Sequence, residues 1–114
     1  MEGQFHKELS LIRDDAGNAI GVAASGPISW AAGETGATIS VTITQDGVTA
    51  RGVTGGEVGS AEHVWALAAL VEGTGGLHAG GATAEASASV STGDGASTRV
   101  TWTSPPDPRE IMLR

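Results

Sequence analysis

Residues 60–73 run Ser60-Ala61-Glu62-His63-Val64-Trp65-Ala66-Leu67-Ala68-Ala69-Leu70-Val71-Glu72-Gly73, and the reading of this stretch decides the class of the fold. Val64, Leu67, Ala68 and Val71 fall at i, i+3, i+4 and i+7, an apolar stripe of helical period that Leu70 widens. Ser60 suits the N-cap, Glu62 complements the positive end of a helix dipole, and Gly73 suits the position after the last turn. The stretch therefore reads as the chain's one helix. At about 12 residues such a helix is marginal alone, so it is expected to rest on a sheet.

Strands flank it on both sides. Upstream, Ile39, Val41 and Ile43 alternate with Ser40, Thr42 and Thr44, the pattern of a half-buried strand rich in β-branched residues. Asp46-Gly47 supplies two positive-φ positions for a type I′ turn, and Val48 to Val53 returns as the partner strand. Phe5 to Arg13 and Ala19 to Ala24 form an earlier pair around the turn-forming run Asp14 to Asn18. Ser25-Gly26-Pro27 interrupts that second strand before Ile28 and Trp30 resume the alternation. Downstream, Ala82, Ala84, Ala86, Ala88 and Val90 alternate with polar residues, Thr92 to Gly95 turns the chain, and Thr98, Val100 and Trp102 alternate again. The order ββ, ββ, α, ββ predicts an α+β domain: an antiparallel sheet of about six strands, built from hairpins, with a single helix packed on one face. Residues 1–104 make that domain. Ser104-Pro105-Pro106-Asp107-Pro108 cannot continue a ladder, so 105–114 reads as a Pro-rich, flexible tail.

At 114 residues the chain is long enough for one domain and too short for two cores. It holds 18 Gly and 18 Ala, against 22 Leu, Ile, Val and Phe together, so its core must be thin. The absence of Cys excludes a disulfide scaffold and thiolate metal sites. A formal charge of −7 opposes binding to nucleic acid and to anionic membranes, and Arg13, Arg51, Arg99, Arg109 and Arg114 are scattered rather than clustered. Met1 to Ser10 carry no apolar run of the kind a secretory signal needs, so a cytoplasmic protein is expected.

Motifs for chemistry are sparse. The glycine-rich run Gly52 to Ser60 leads into the expected helix but lacks the Lys of a phosphate loop, and Glu57 would repel an anion. His6, His63 and His78 show no metal-ligand spacing, and Asp94 lacks the further oxygen donors of a calcium loop. There is no Gly-x-Ser-x-Gly elbow. Neither a cofactor nor a metal is therefore expected.

Two features suggest contact surfaces. The stripe Ala82, Ala84, Ala86, Ala88 forgoes ~1.6 kcal/mol of burial per position relative to valine, at ~0.8 kcal/mol per CH₂. A chain accepts that where another element or a second copy approaches closely. Trp30 and Trp102 are placed in the core, and Trp65, at the flank of the helical stripe, is the candidate interface aromatic. The leading expectation is a small non-enzymatic interaction or assembly module that self-associates, using open sheet edges as well as these side chains. The alternative is a small-molecule binding domain or small enzyme, with a pocket between helix and sheet near Glu62, His63, Trp65 and Arg99.

Overall fold

The structure, a computed structural model, describes residues 2–6, 8–57, 64–73, 75–103 and 111–113. These residues form nine strands: β1 (Glu2–Gly3), β2 (Glu8–Arg13), β3 (Ala19–Ser29), β4 (Glu34–Gln45), β5 (Val48–Glu57), β6 (Val64–Val71), β7 (Gly80–Thr92), β8 (Ser97–Thr103) and β9 (Ile111–Leu113). No helix occurs among them. The expected α+β fold is thus corrected to an all-β fold with one mixed nine-stranded sheet.

The correction turns on 64–71. Trp65, Leu67, Ala69 and Val71 also alternate with Ala66, Ala68 and Leu70, so this apolar run satisfies a period of two as well as a helical one. Tertiary pairing decides between them. As β6 the segment runs antiparallel to β3, from Gly21↔Leu70 to Pro27↔Val64, and meets β5 at Ala50↔Val71 and Arg51↔Leu70. Glycines on both neighbours make room for it: a Cβ on Gly21 would lie 2.5 Å from the Ala69 carbonyl oxygen, and one on Gly52 2.2 Å from that of Ala68. Residues 60–63 of the expected helix lie outside the described residues.

The sheet closes on itself. Going round it, β3 pairs with β6, β6 with β5, β5 with β4 and β4 with β7; β7 pairs with β9, β9 with β2, and β2 again with β3. Between β1 and β2, the Gln4 and His6 amides donate to the Pro27 and Ser25 carbonyls, so residues 2–6 and 8–13 follow β3 along nearly its whole length. β8 lies beside β7 next to β9 and outside this ring. Every pairing is antiparallel except β2 with β9, where Leu9 faces Leu113 in parallel. That contact covers edges which a row of hairpins would leave open, so the expected supply of open edges is largely removed. It also places 111–113, in the stretch read as a flexible tail, inside the sheet with Leu113 buried.

The β4–β5 hairpin forms as its sequence indicates. Asp46 and Gly47 adopt φ of 49° and 81°, the two positive values that a type I′ turn requires. The Ala82–Val90 alternation is likewise a strand, β7. β3 differs from expectation, because it runs unbroken through Ser25-Gly26-Pro27 to Ser29.

Inward-facing residues make one core. Ile39, Val41 and Ile43 of β4 stand beside Ala88, Ala86 and Ala84 of β7, large beside small, while Ala37 stands beside Val90. On the other side of β7, Ala86 pairs with Trp102. The volume that the alanines leave is used by three rings. Phe5 and Trp65 meet edge to face at 5.3 Å, Trp65 and Trp102 at 5.8 Å, and Phe5 lies 6.5 Å from Trp102. A thin aliphatic supply suffices because aromatic area fills the middle.

Candidate functional site

The residues singled out from the sequence do not converge. Ala82, Ala84, Ala86 and Ala88 are only 1–5% exposed and are covered from within the chain. Trp65 is 4% exposed, with its indole Nε1–H donating to the Gln4 carbonyl at 2.8 Å. Trp102 is in the core, its Nε1 buried without an acceptor among the described residues, and Trp30 is half-buried at the core margin. Arg99 is exposed on β8 opposite Ser89. Glu62 and His63 lie outside the described residues. With 64–71 in the sheet, no helical layer that could form a helix–sheet pocket occurs among the described residues.

The outer surface of the sheet divides into two chemically distinct faces. Across β4, β7 and β8 it is hydroxylic: the rows Thr42–Glu85–Thr103 and Ser40–Ser87–Thr101 lie side by side, and the Ser40 and Ser87 hydroxyls are 3.0 Å apart. Two recesses of ≈ 260 and ≈ 370 Å³ lie along these rows, and neither is lined by an aromatic ring. They lack the large apolar side chains that line a typical small-molecule site.

Across β2, β3 and β6 the outer face is apolar and small. One row is Ile12–Gly21–Leu70 and the next is Ser10–Ala23–Ala68, with Ser25–Ala66 beyond. Ala23, Ala66, Ala68 and Pro27 are exposed, Leu70 is 51% exposed, and Val53 of adjoining β5 is 67% exposed. Charge lies at the margins of this face: Arg51, whose guanidinium is 3.7 Å from the Glu72 carboxylate, on one side, and Glu8 on the other. The sequence contained a signal for this face. The outward set Ala66, Ala68, Leu70 alternates with the inward set in β6, but assigning 64–71 to a helix hides it.

Potential catalytic groups are isolated. His6 Nδ1 lies 2.9 Å from Ser25 Oγ at the edge of the apolar face. The His6 backbone amide is bonded to the Ser25 carbonyl and so is not available to stabilise an oxyanion beside the pair. The Asp14 and Asp94 carboxylates lock turns. The Asn18 amide holds Asp14 below its usual 3.8, helped by the Asn18 side chain and the Ala16 amide. The Thr92 hydroxyl and then the Ala96 amide do the same for Asp94. Both turns are supported at neutral pH and lose that support only as pH falls through these lowered values. No group of three His, Asp or Glu able to hold a metal ion occurs among the described residues. No helix among them is long and apolar enough to cross a membrane.

At one end of the barrel a different polar cluster gathers on Gln45, the one buried polar side chain among the described residues, 4% exposed. Its Nε2 donates to the His78 and Gly81 carbonyls at 3.0 and 3.1 Å, and its Oε1 accepts from the His78 amide at 2.9 Å. Gln45→Leu leaves that amide and both carbonyls without these bonds. It is expected to lower the unfolding free energy by about 1–3 kcal/mol, read as a reduced urea midpoint at unchanged m.

Comparison with protein-family models, with curated proteins and with solved structures gives no match to this chain.

Proposed function

We propose that the protein is a small non-catalytic module that self-associates through the outer face of β3 and β6. The observation that carries this reading is the apolar patch centred on Ala23, Ala68 and Leu70, exposed on an otherwise acidic molecule. Two copies that each bear −7 repel one another wherever carboxylates meet. A face with charge only at its margins lets them approach without stripping water from ions. Alanine side chains keep the face flat, as stacking of two sheets at about 10 Å requires, and a two-fold axis would set one patch on the other.

The test is sedimentation of the wild type and Ala68→Glu at micromolar concentration. The wild type is expected to sediment as a multiple of 11.3 kDa, and association is expected to tighten with salt as repulsion between acidic copies is screened. Ala68→Glu, which buries a carboxylate in each half of the interface, is expected to weaken association by at least about ten-fold, with thermal stability kept. A wild type that stays monomeric to about 100 μM, or an Ala68→Glu oligomer as tight as the wild type, would overturn the proposal; the second result would move the interface elsewhere, for instance to the edge of β8.

A further inference from the structure

The barrel end that holds Gln45 is crossed by the strap Gly75–Gly80, which seats Leu77 in the core, 6% exposed, with its amide directed at the Ala19 carbonyl. Gly75 and Gly80 bound the strap at φ of 125° and 140°, conformations that side-chain-bearing residues rarely adopt. Two fasteners hold it to the β4–β5 hairpin. One is the Gln45 amide, which does not titrate. The other is His78 Nε2, which lies 2.6 Å from Asp46 Oδ2 of the hairpin; Nδ1 of the same ring lies 2.9 Å from the Ala79 carbonyl oxygen within the strap.

Both ring nitrogens therefore face oxygens that can only accept. A neutral imidazole has one N–H and makes one of these bonds; the imidazolium makes both. We propose that the strap is a pH-sensitive closure of this barrel end, fully fastened when His78 carries both ring protons and loosened when one proton leaves to solvent. Among the described residues, the elements packed against the strap bring a single charged group to the ring, Asp46 from the β4–β5 turn; the start of β3 contributes Ala19, and the start of β7 contributes Gly80 and Gly81. The hydrogen bond to Asp46, then that to the Ala79 carbonyl, hold His78 above its usual 6.5. The fastening is accordingly complete below about pH 6.5 and weakens as pH rises through the raised value, when the ring keeps one of its two hydrogen bonds. The pair is well exposed, at 60% and 77%, so the change is a loosening and the Gln45 fastener remains.

Amide hydrogen exchange at Leu77 and His78, measured against Ile43 from pH 5.5 to 8.5 and corrected for intrinsic rates, tests this. Protection of the strap is expected to fall roughly two- to five-fold across that range, while Ile43 does not change. ¹⁵N shifts of the ring at pH 6.5 are expected to show both nitrogens protonated. In Asp46→Asn, which keeps a residue tolerant of positive φ in the turn, the midpoint is expected to move down toward 6.5; in His78→Gln the step is expected to vanish. A pH-independent wild type, the same step in His78→Gln, or a neutral ring at pH 6.5 would each overturn the proposal.

Discussion

Replacing Gly26 with alanine is expected to prise residues 2–6 away from β3 and to lower the unfolding free energy by about 4 kcal/mol or more. A Cβ at Gly26 would lie 1.7 Å from the Gln4 carbonyl oxygen and 2.6 Å from its carbon. These are backbone atoms, which cannot rotate aside as a long side chain would. The run must shift bodily, and the bonds from the Gln4 and His6 amides to β3 go with it, together with the acceptor of the Trp65 indole. Losses of this size belong to the few substitutions that break a buried network and the packing around it at once. Urea unfolding followed by tryptophan emission measures the effect, since both Trp65 and Trp102 lie under the displaced segment. Gly76→Ala is the control: its Cβ meets nothing within 4 Å and its φ is ordinary, so a change within about 0.5 kcal/mol is expected. A near-neutral Gly26→Ala would show that the N-terminal run does not lie against β3.

Trp65→Ala is expected to cost about 3–5 kcal/mol, a large part of the ~5–15 kcal/mol that holds an ordinary domain together. The ring is the middle member of the aromatic trio, touching Phe5 on one side and Trp102 on the other. Its removal leaves a cavity between Phe5 and Trp102, whose rigid rings cannot fold into it. This measurement also separates the two readings of 64–71. On a helix, with Trp65 at an interface, the substitution would weaken association and leave the monomer nearly as stable; in β6 the loss falls on the fold itself. Trp65→Phe keeps most of the apolar area and is expected to cost less.

The contrast between β4–β5 and β6 shows how much of the fold could be read from the chain. The hairpin was legible because everything that specifies it lies within a few residues: β-branched side chains at every second position, and an Asp-Gly pair where the turn needs positive φ. β6 was not, because nearly all of its residues are apolar and satisfy either period. What settles it is distant in sequence, at Gly21 and Gly52, which give up their side chains so that a strand fits between them. β9 is a sharper case. Three residues following a proline-rich run carry no local signal of their own, and they are a strand only because β2 and β7 flank them. The candidate interface followed the same fate: Ala68 and Leu70 can be recognised as outward-facing only once β6 is known to be a strand. The alanine stripe was seen and its alternation understood, yet the sequence could not say that the room it leaves is occupied by tryptophan rather than by another copy.

The parallel contact between β2 and β9 also bears on how the molecule is made. Leu113 leaves the ribosome roughly 100 residues after its partner Leu9, about 5–20 s at ordinary rates of translation. Through that interval the nascent chain can fold its local hairpins, but β2 keeps one flank unoccupied and the ring stays open. Completion waits on the most sequence-distant pairing among the described residues, the kind that forms slowly because so much chain must be ordered first. The half-closed sheet is thus the stage at which the nascent chain is most exposed to chaperones, proteases and its neighbours on the same message.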